Sequence, residues 1–202
     1  MKFWDAEDHV FLFNTAELCP TIEEFSTILG YELGKKSVVL SYDPKHREIL
    51  SNALGLSTSV TSSMIEVHMV NLHVVVMRLI DKHIHGLSNN TQIFFGLALC
   101  FMGEFLLCSG RPGFVDAQAI GIVNQVGDGD NPTSLILART FLGLDSVFLG
   151  GESQQFLGTP LTLQIWLMEI LDMIATSIVA KYGPSNFPSR AVLKTKCQTE
   201  SH

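Results

Sequence analysis

The sequence predicts a mainly α-helical fold: a single multi-helix globular domain of roughly seven helices with a short N-terminal β-hairpin. Three observations predict it. Apolar residues recur at helical spacing through most of residues 21–182. Cap signals stand at the start of these runs: Thr21 with Glu24, Asp43-Pro44, Ser63 with Glu66, Asn131-Pro132 and Thr159-Pro160. Hydrophobic residues make up 47% of the 202, and charged residues only 16%, so the chain can fill one core and is too apolar for general disorder.

The elements follow in order. Lys2-Phe3-Trp4 and Val10-Phe11-Leu12-Phe13 flank an acidic turn and read as the hairpin. Thr21 and Glu24 form a capping box, Ile22, Phe25, Ile28 and Leu29 share one apolar face, and Gly30 ends the helix. Residues 31–42 read as extended or looped. Asp43 as N-cap and Pro44 at the first position open the next helix, with an Ile49, Leu50, Ala53 and Leu54 stripe closed by Gly55. A helix capped by Ser63 and Glu66 is expected to run to about residue 82. A polar break over 83–90 precedes a long apolar helix over 91–108, stopped by Ser109-Gly110-Arg111-Pro112-Gly113. Residues 115–126 form the next helix, and Gly127-Asp128-Gly129-Asp130 a turn. A helix then runs from Asn131-Pro132 to about residue 149, where Gly150 and Gly151 end it. The last helix starts at Thr159-Pro160 and carries Trp166, Ile170 and Ile178 before Gly183-Pro184.

A net charge of -7, with no Lys/Arg run longer than Lys35-Lys36, disfavours direct nucleic-acid binding. The start of the chain turns acidic at once, unlike a secretory signal, and Asn89-Asn90-Thr91 is read as a chance sequon. Cys19, Cys100, Cys108 and Cys197 form no Cys-x-x-Cys, which suits reduced thiols. Residues 92–108 are the most apolar run. They fall short of the ~20 residues that span a bilayer and contain Glu104, so a centrally buried core helix is expected instead.

Residues that could carry chemistry read mostly as structural. His83 and His85, with Asp81 nearby, could suggest a metal, but positions two apart point to different sides of a helix, and His68 and His73 miss the i, i+4 spacing of helical zinc pairs. Cys100 and Cys108, about two helical turns apart, read as core fillers. Gly151-Glu152-Ser153-Gln154-Gln155 lacks the final glycine of a nucleophile elbow. A calcium loop starting at Asp128 would need a glutamate where Arg139 stands. Phosphate-binding glycine patterns do not occur. Trp166 reads as core. Glu104, Glu169 and Asp172 sit in apolar helices, where Arg139 or Arg78 is expected to pair with them. A deep polar pocket joining Glu104, Asp116 or Glu169 to a histidine would instead favour an enzyme.

Several blocks, in order, resemble the plant mobile domain family and its retroelement-associated plant relatives. They are Phe11-Leu12-Phe13, the run 19–30 from Cys19-Pro20 to Leu29-Gly30, Phe114-Val115-Asp116, the run 136–144 around Ala138-Arg139-Thr140, and the run 157–169 around Gln164-Ile165-Trp166. The resemblance makes residues 1–182 the family-like helical domain and 183–202 an irregular polar tail, which reads as a C-terminal truncation. It implies transposon-related plant ancestry, nuclear localisation, a phosphatase-like protein partner, and a link to transposon silencing and meristem maintenance. The family's aminotransferase-like label finds no pyridoxal-phosphate lysine motif here. The expectation is therefore a non-catalytic protein-interaction domain with no catalytic, cofactor-binding or metal residues, no small-molecule substrate and no membrane contact. The alternatives are a nucleic-acid-associated transposon protein, an enzyme with an unrecognised site, and a non-functional element fragment.

Overall fold

The computed structural model describes residues 3–13, 16–40, 44–150 and 156–170. The expected polar tail, the Ser153 loop and Asp172 lie outside these residues. The described chain is mainly α-helical, with eight α-helices, one π-helical segment and two small antiparallel sheets.

The hairpin forms from β1 (Trp4–Asp5) and β2 (Val10–Phe13), and a third strand, β3 (Ala16–Leu18), extends it. The Trp4 side chain, on strand β1, is buried. Its ring meets Phe11 and Phe141, and its indole N–H donates to Asp145 Oδ1 at 2.9 Å.

The capping box of α1 (Ile22–Leu29) is present as expected. Thr21 Oγ1 accepts from the Glu24 amide at 3.2 Å, and Gly30 closes the helix at a φ of 76°. Phe25 is fully buried, whereas Ile22 is exposed, a departure from the expected apolar face. Glu24 Oε2 accepts both the Thr21 amide, at 2.9 Å, and the Trp166 indole N–H, at 2.8 Å. One carboxylate thus joins the first helix to the last.

Asn131 organises the segment before the second helix. Its backbone pairs with Lys36 and Val38, its side-chain N–H donates to Glu32 O, and its Oδ1 accepts from the Thr133 amide at 2.8 Å. Helix α2 (His46–Leu54) starts later than Asp43-Pro44 suggested, and Lys45 occupies its N-cap with no side-chain cap bond. Leu50 and Leu54 are buried and Gly55 ends the helix in the left-handed region, as the sequence indicates.

The expected helix from Ser63 is overturned. A short α3 (Thr58–Ser63) ends there, and Ser63 Oγ donates back to Val60 O. Glu66 lies in a strand, β4 (Ile65–Glu66), which turns back into β5 (Met69–Asn71). The two-residue turn is Val67-His68, with φ of 44° and 69°. Such a turn requires positive φ at both positions, and side chains branched at Cβ resist it. Val67 is 90% exposed, so packing does not compensate the strain. Val67→Asn should therefore raise stability by about 1 kcal/mol. The urea midpoint measures this, and a lower midpoint would refute the strained turn.

Asn71 then caps α4 (Leu72–Ile84), accepting from the Val74 amide. Helix α5 (Asn90–Phe101) passes into the π-helical segment Met102–Leu106. Strand β6 (Phe114–Asp116) completes the second sheet beside β5, so α6 (Gln118–Gly127) begins later than predicted. Helix α8 (Pro160–Ile170) starts where the Thr159-Pro160 signal places it, while helix α7 (Thr133–Phe148) starts one residue later than Asn131-Pro132 suggested, with Pro132 at its N-cap. Thr159 Oγ1 accepts from the Thr162 amide. Helix α1 packs on α7 and α8, while α5 packs on α2, α4 and α6. Phe25, Leu50, Leu99, Ile120, Ile136, Leu144 and Trp166 are among the buried side chains of one core.

Candidate functional site

The expectation of a centrally buried helix over 91–108 is not met. Only one side of α5 and the π-helical segment is buried, the side of Gly96, Leu99, Met102, Gly103 and Leu106. The apolar run continues around the helix, so its outward side is apolar as well.

Close packing of α4 on α5 positions this surface. Leu72, Val75 and Leu79 form the buried stripe of α4. Gly96 receives the Leu79 side chain in the space where a Cβ would stand. Gly103 lies so near Leu72 and Val115 that a Cβ would stand 2.9 Å and 2.8 Å from them. Asn89 and Gln92 form a capping box at the start of α5, which gives the Asn89 side chain a structural task. Lys82 ties the helical hairpin of α4 and α5 to α2: its Nζ donates to Leu54 O at 2.7 Å, Gly55 O at 3.0 Å and Gln92 Oε1 at 2.9 Å. A lysine at a helix C-terminus also meets the negative end of that helix's dipole.

The outward side is apolar on both helices. Val76, Met77, Ile80 and Ile84 share a face of α4, with Leu87 in the connection. Phe94, Leu97 and Phe101 share a face of α5, and Phe105 follows in the π-helical segment. Ile84 is 74% exposed, Leu87 70%, Phe94 69% and Leu97 56%. The nine side chains together expose roughly 900 Å², at about 180 Å² for each fully exposed large apolar side chain. The largest apolar patch on a typical monomer is about 300–600 Å². Helix α5 carries no charged residue; on α4, Arg78 and Lys82 stand off the apolar stripe, while Asp81, four residues after Met77, borders it and faces His85 Nδ1 at 3.5 Å. At one end, Phe101 and Phe105, with ring centroids 5.3 Å apart, border a cavity of about 340 Å³. Ile28, Tyr31, Leu161 and Ile165 are on its other walls. Its buried Thr159 and Thr162 hydroxyls bond each other at 2.7 Å.

Of the residues considered for chemistry, Asp81 Oδ1 and His85 Nδ1 lie 3.5 Å apart. His85 Nδ1 bonds Asp81 O at 2.8 Å, whereas His83 Nδ1 faces Ser88 Oγ at 3.3 Å. His68 is in the Val67-His68 turn and His73 in the first turn of α4. Among the described residues, no group of three or more His, Cys, Asp or Glu could hold a metal ion. Burial raises the thiol pKa of both Cys100 and Cys108, and the neighbouring Glu104 charge adds to it, so neither is disposed to act as a thiolate nucleophile. Asp130 pairs with Lys36 at 2.8 Å.

The arginine partners expected for Glu104 are replaced by a backbone contact: Glu104 is exposed and accepts from the Gly113 amide at 2.8 Å. Glu104 lies in the π-helical segment, on a side where its carboxylate meets the 109–113 loop. Arg139 instead lines a small cleft of about 70 Å³ with Asp116 and Gln118. A second cavity, of about 280 Å³, holds Glu104, Cys108 and Arg111. Neither contains a histidine, so neither joins a carboxylate to one.

Among the described residues, no helix is long and apolar enough to cross a membrane. Comparison with curated proteins and with solved structures yields no match. Residues 1–185 match the family described as Domain of unknown function (DUF7745), and the chain belongs to that family.

Proposed function

We propose that this chain is a non-catalytic helical domain that binds other proteins. The observation that carries the reading is the uncharged apolar face of the α4–α5 hairpin. A surface of this size, left in water, forgoes a large hydrophobic gain that a protein partner would supply. The dispersal of the histidines, cysteines and carboxylates favours binding over catalysis. The net charge of -7 favours a protein over a nucleic acid as the partner.

The resemblance of the 11–13, 19–30, 114–116, 136–144 and 157–169 blocks to plant mobile domains supports the finer reading. In it the chain is a nuclear, transposon-derived plant protein that works with a phosphatase-like partner in transposon silencing and meristem maintenance.

Affinity purification of the tagged chain from plant nuclei, read by mass spectrometry, tests the proposal. The expected result is a reproducible partner, a phosphatase-like protein among the candidates, whose recovery falls at least about tenfold with Leu97→Glu. Recovery of chaperones and proteasome subunits alone, or capture indifferent to the substitution, would overturn it.

A further inference from the structure

We infer that the α4–α5 face pairs with the same face of a second copy of this chain, forming a four-helix arrangement across a two-fold axis. The inference rests on the protein-binding reading above and names the partner. Three features select a second copy. The first is area: roughly 900 Å² of exposed apolar surface per chain meets the ~800 Å² per partner of a standard stable interface. The second is charge. A two-fold interface sets each patch against itself, so any charge on it meets its own sign. This chain carries a net charge of -7, yet α5 has no charged residue and the α4 stripe of Val76, Met77, Ile80 and Ile84 has none either. Asp81, which faces His85 at 3.5 Å, stands at the edge of this surface, so the centre of the surface is free of the acidic charge that would make two copies repel.

The third feature is shape. Helices of 13 and 12 residues, packed side by side, are about 18–20 Å long and present two apolar ridges. Two such hairpins, face to face, bury all four ridges at once, which is the packing logic of a four-helix bundle. Leu97 and Ile80 stand at mid-helix in α5 and α4, so they come near the centre of the interface, where truncation or charge has its largest effect.

Sedimentation velocity of the purified full chain across about 1–100 µM tests this, a range in which a standard interface populates its dimer. The expected species has twice the 22.3 kDa chain mass. Leu97→Glu, and independently Ile80→Lys, should weaken dimerisation by about 100-fold or more while leaving the far-UV circular dichroism and the urea midpoint of the monomer intact. Leu142→Glu, at an exposed apolar position of α7 away from this face, should leave the dimer unchanged.

A wild-type chain that stays monomeric at the highest concentration overturns the inference. So does a dimer that survives both face substitutions or is lost with Leu142→Glu. A monomer that still captures a nuclear protein in a Leu97-dependent way would sink self-pairing and keep the protein-binding reading. A monomer whose capture does not depend on Leu97 would sink both.

Discussion

Gly143→Ala should destabilise the fold by about 3 kcal/mol or more, enough to remove much of the stability of a domain this size. A Cβ at Gly143 would fall on the Leu157 carbonyl oxygen and stand 2.7 Å from the Leu157 carbonyl carbon. These are backbone atoms, so no rotamer change can relieve the overlap. Gly158 completes the close approach from the other side. Its φ is 111°, and a Cβ there would stand 2.6 Å from Thr140 Cα. The connection between α7 and α8 therefore lies directly on α7, where the Thr159 amide donates to Thr140 Oγ1 at 3.3 Å. Gly121→Ala is the matched control. It lies within α6 with nothing inside 4 Å of its Cβ position, so alanine should gain about 0.5–1 kcal/mol from helix propensity. Urea unfolding followed by circular dichroism should show the two variants moving in opposite directions. A Gly143→Ala midpoint close to wild type would mean that α7 and the 156–159 segment do not touch as described.

Trp166→Ala should cost about 3–5 kcal/mol. The side chain is 1% exposed, packs beside Phe11 and donates its indole N–H to Glu24. Removing it opens a cavity between α8, α1 and the N-terminal sheet, and leaves Trp4 as the remaining tryptophan to report unfolding by fluorescence. Trp166→Phe should cost less, about 1–3 kcal/mol, since most of the volume stays and the Glu24 hydrogen bond goes. Thr21→Ala removes the cap alone and should cost about 1 kcal/mol. Equal losses for Thr21→Ala and Trp166→Ala would show that Trp166 adds nothing beyond the cap. Amide exchange should accelerate in both α1 and α8 of Trp166→Ala, because the tryptophan joins them.

Local chemistry was legible wherever it closes within a few residues. Thr21 with Glu24, Gly30, Gly55 and the Thr159-Pro160 start are each decided by backbone groups three or four positions away. The region around Ser63 misled for the same reason. Ser63 and Glu66 have capping-box spacing, but strand pairing of Ile65 with Val70, and of Val70 with Val115, draws the backbone into a sheet. That pairing spans the chain from residue 65 to 115, and no short window contains it. The strained Val67-His68 turn hides it further, since valine is not a residue that announces such a turn.

The candidate site divides along the same line. The apolar content of residues 91–108 is plain in the sequence, as is the absence of charge before Glu104. A run that is apolar on every side has no periodicity, however, so it cannot say which side is covered. The packing of Gly96 and Gly103 against Leu79, Leu72 and Val115 decides that, and it leaves Phe94, Leu97 and Phe101 facing outward.

By itself, then, the sequence determined the helical class, most helix ends and the Thr21 and Thr159 caps, because each depends on hydrogen bonds and steric limits local to the chain. Only the tertiary structure decided the second sheet, the Glu24–Trp166 junction, the backbone of the 156–159 segment lying on α7, and the exposure of the α4–α5 face. Each of these depends on which distant segment occupies the space beside a residue, and that is a property of the packed chain as a whole.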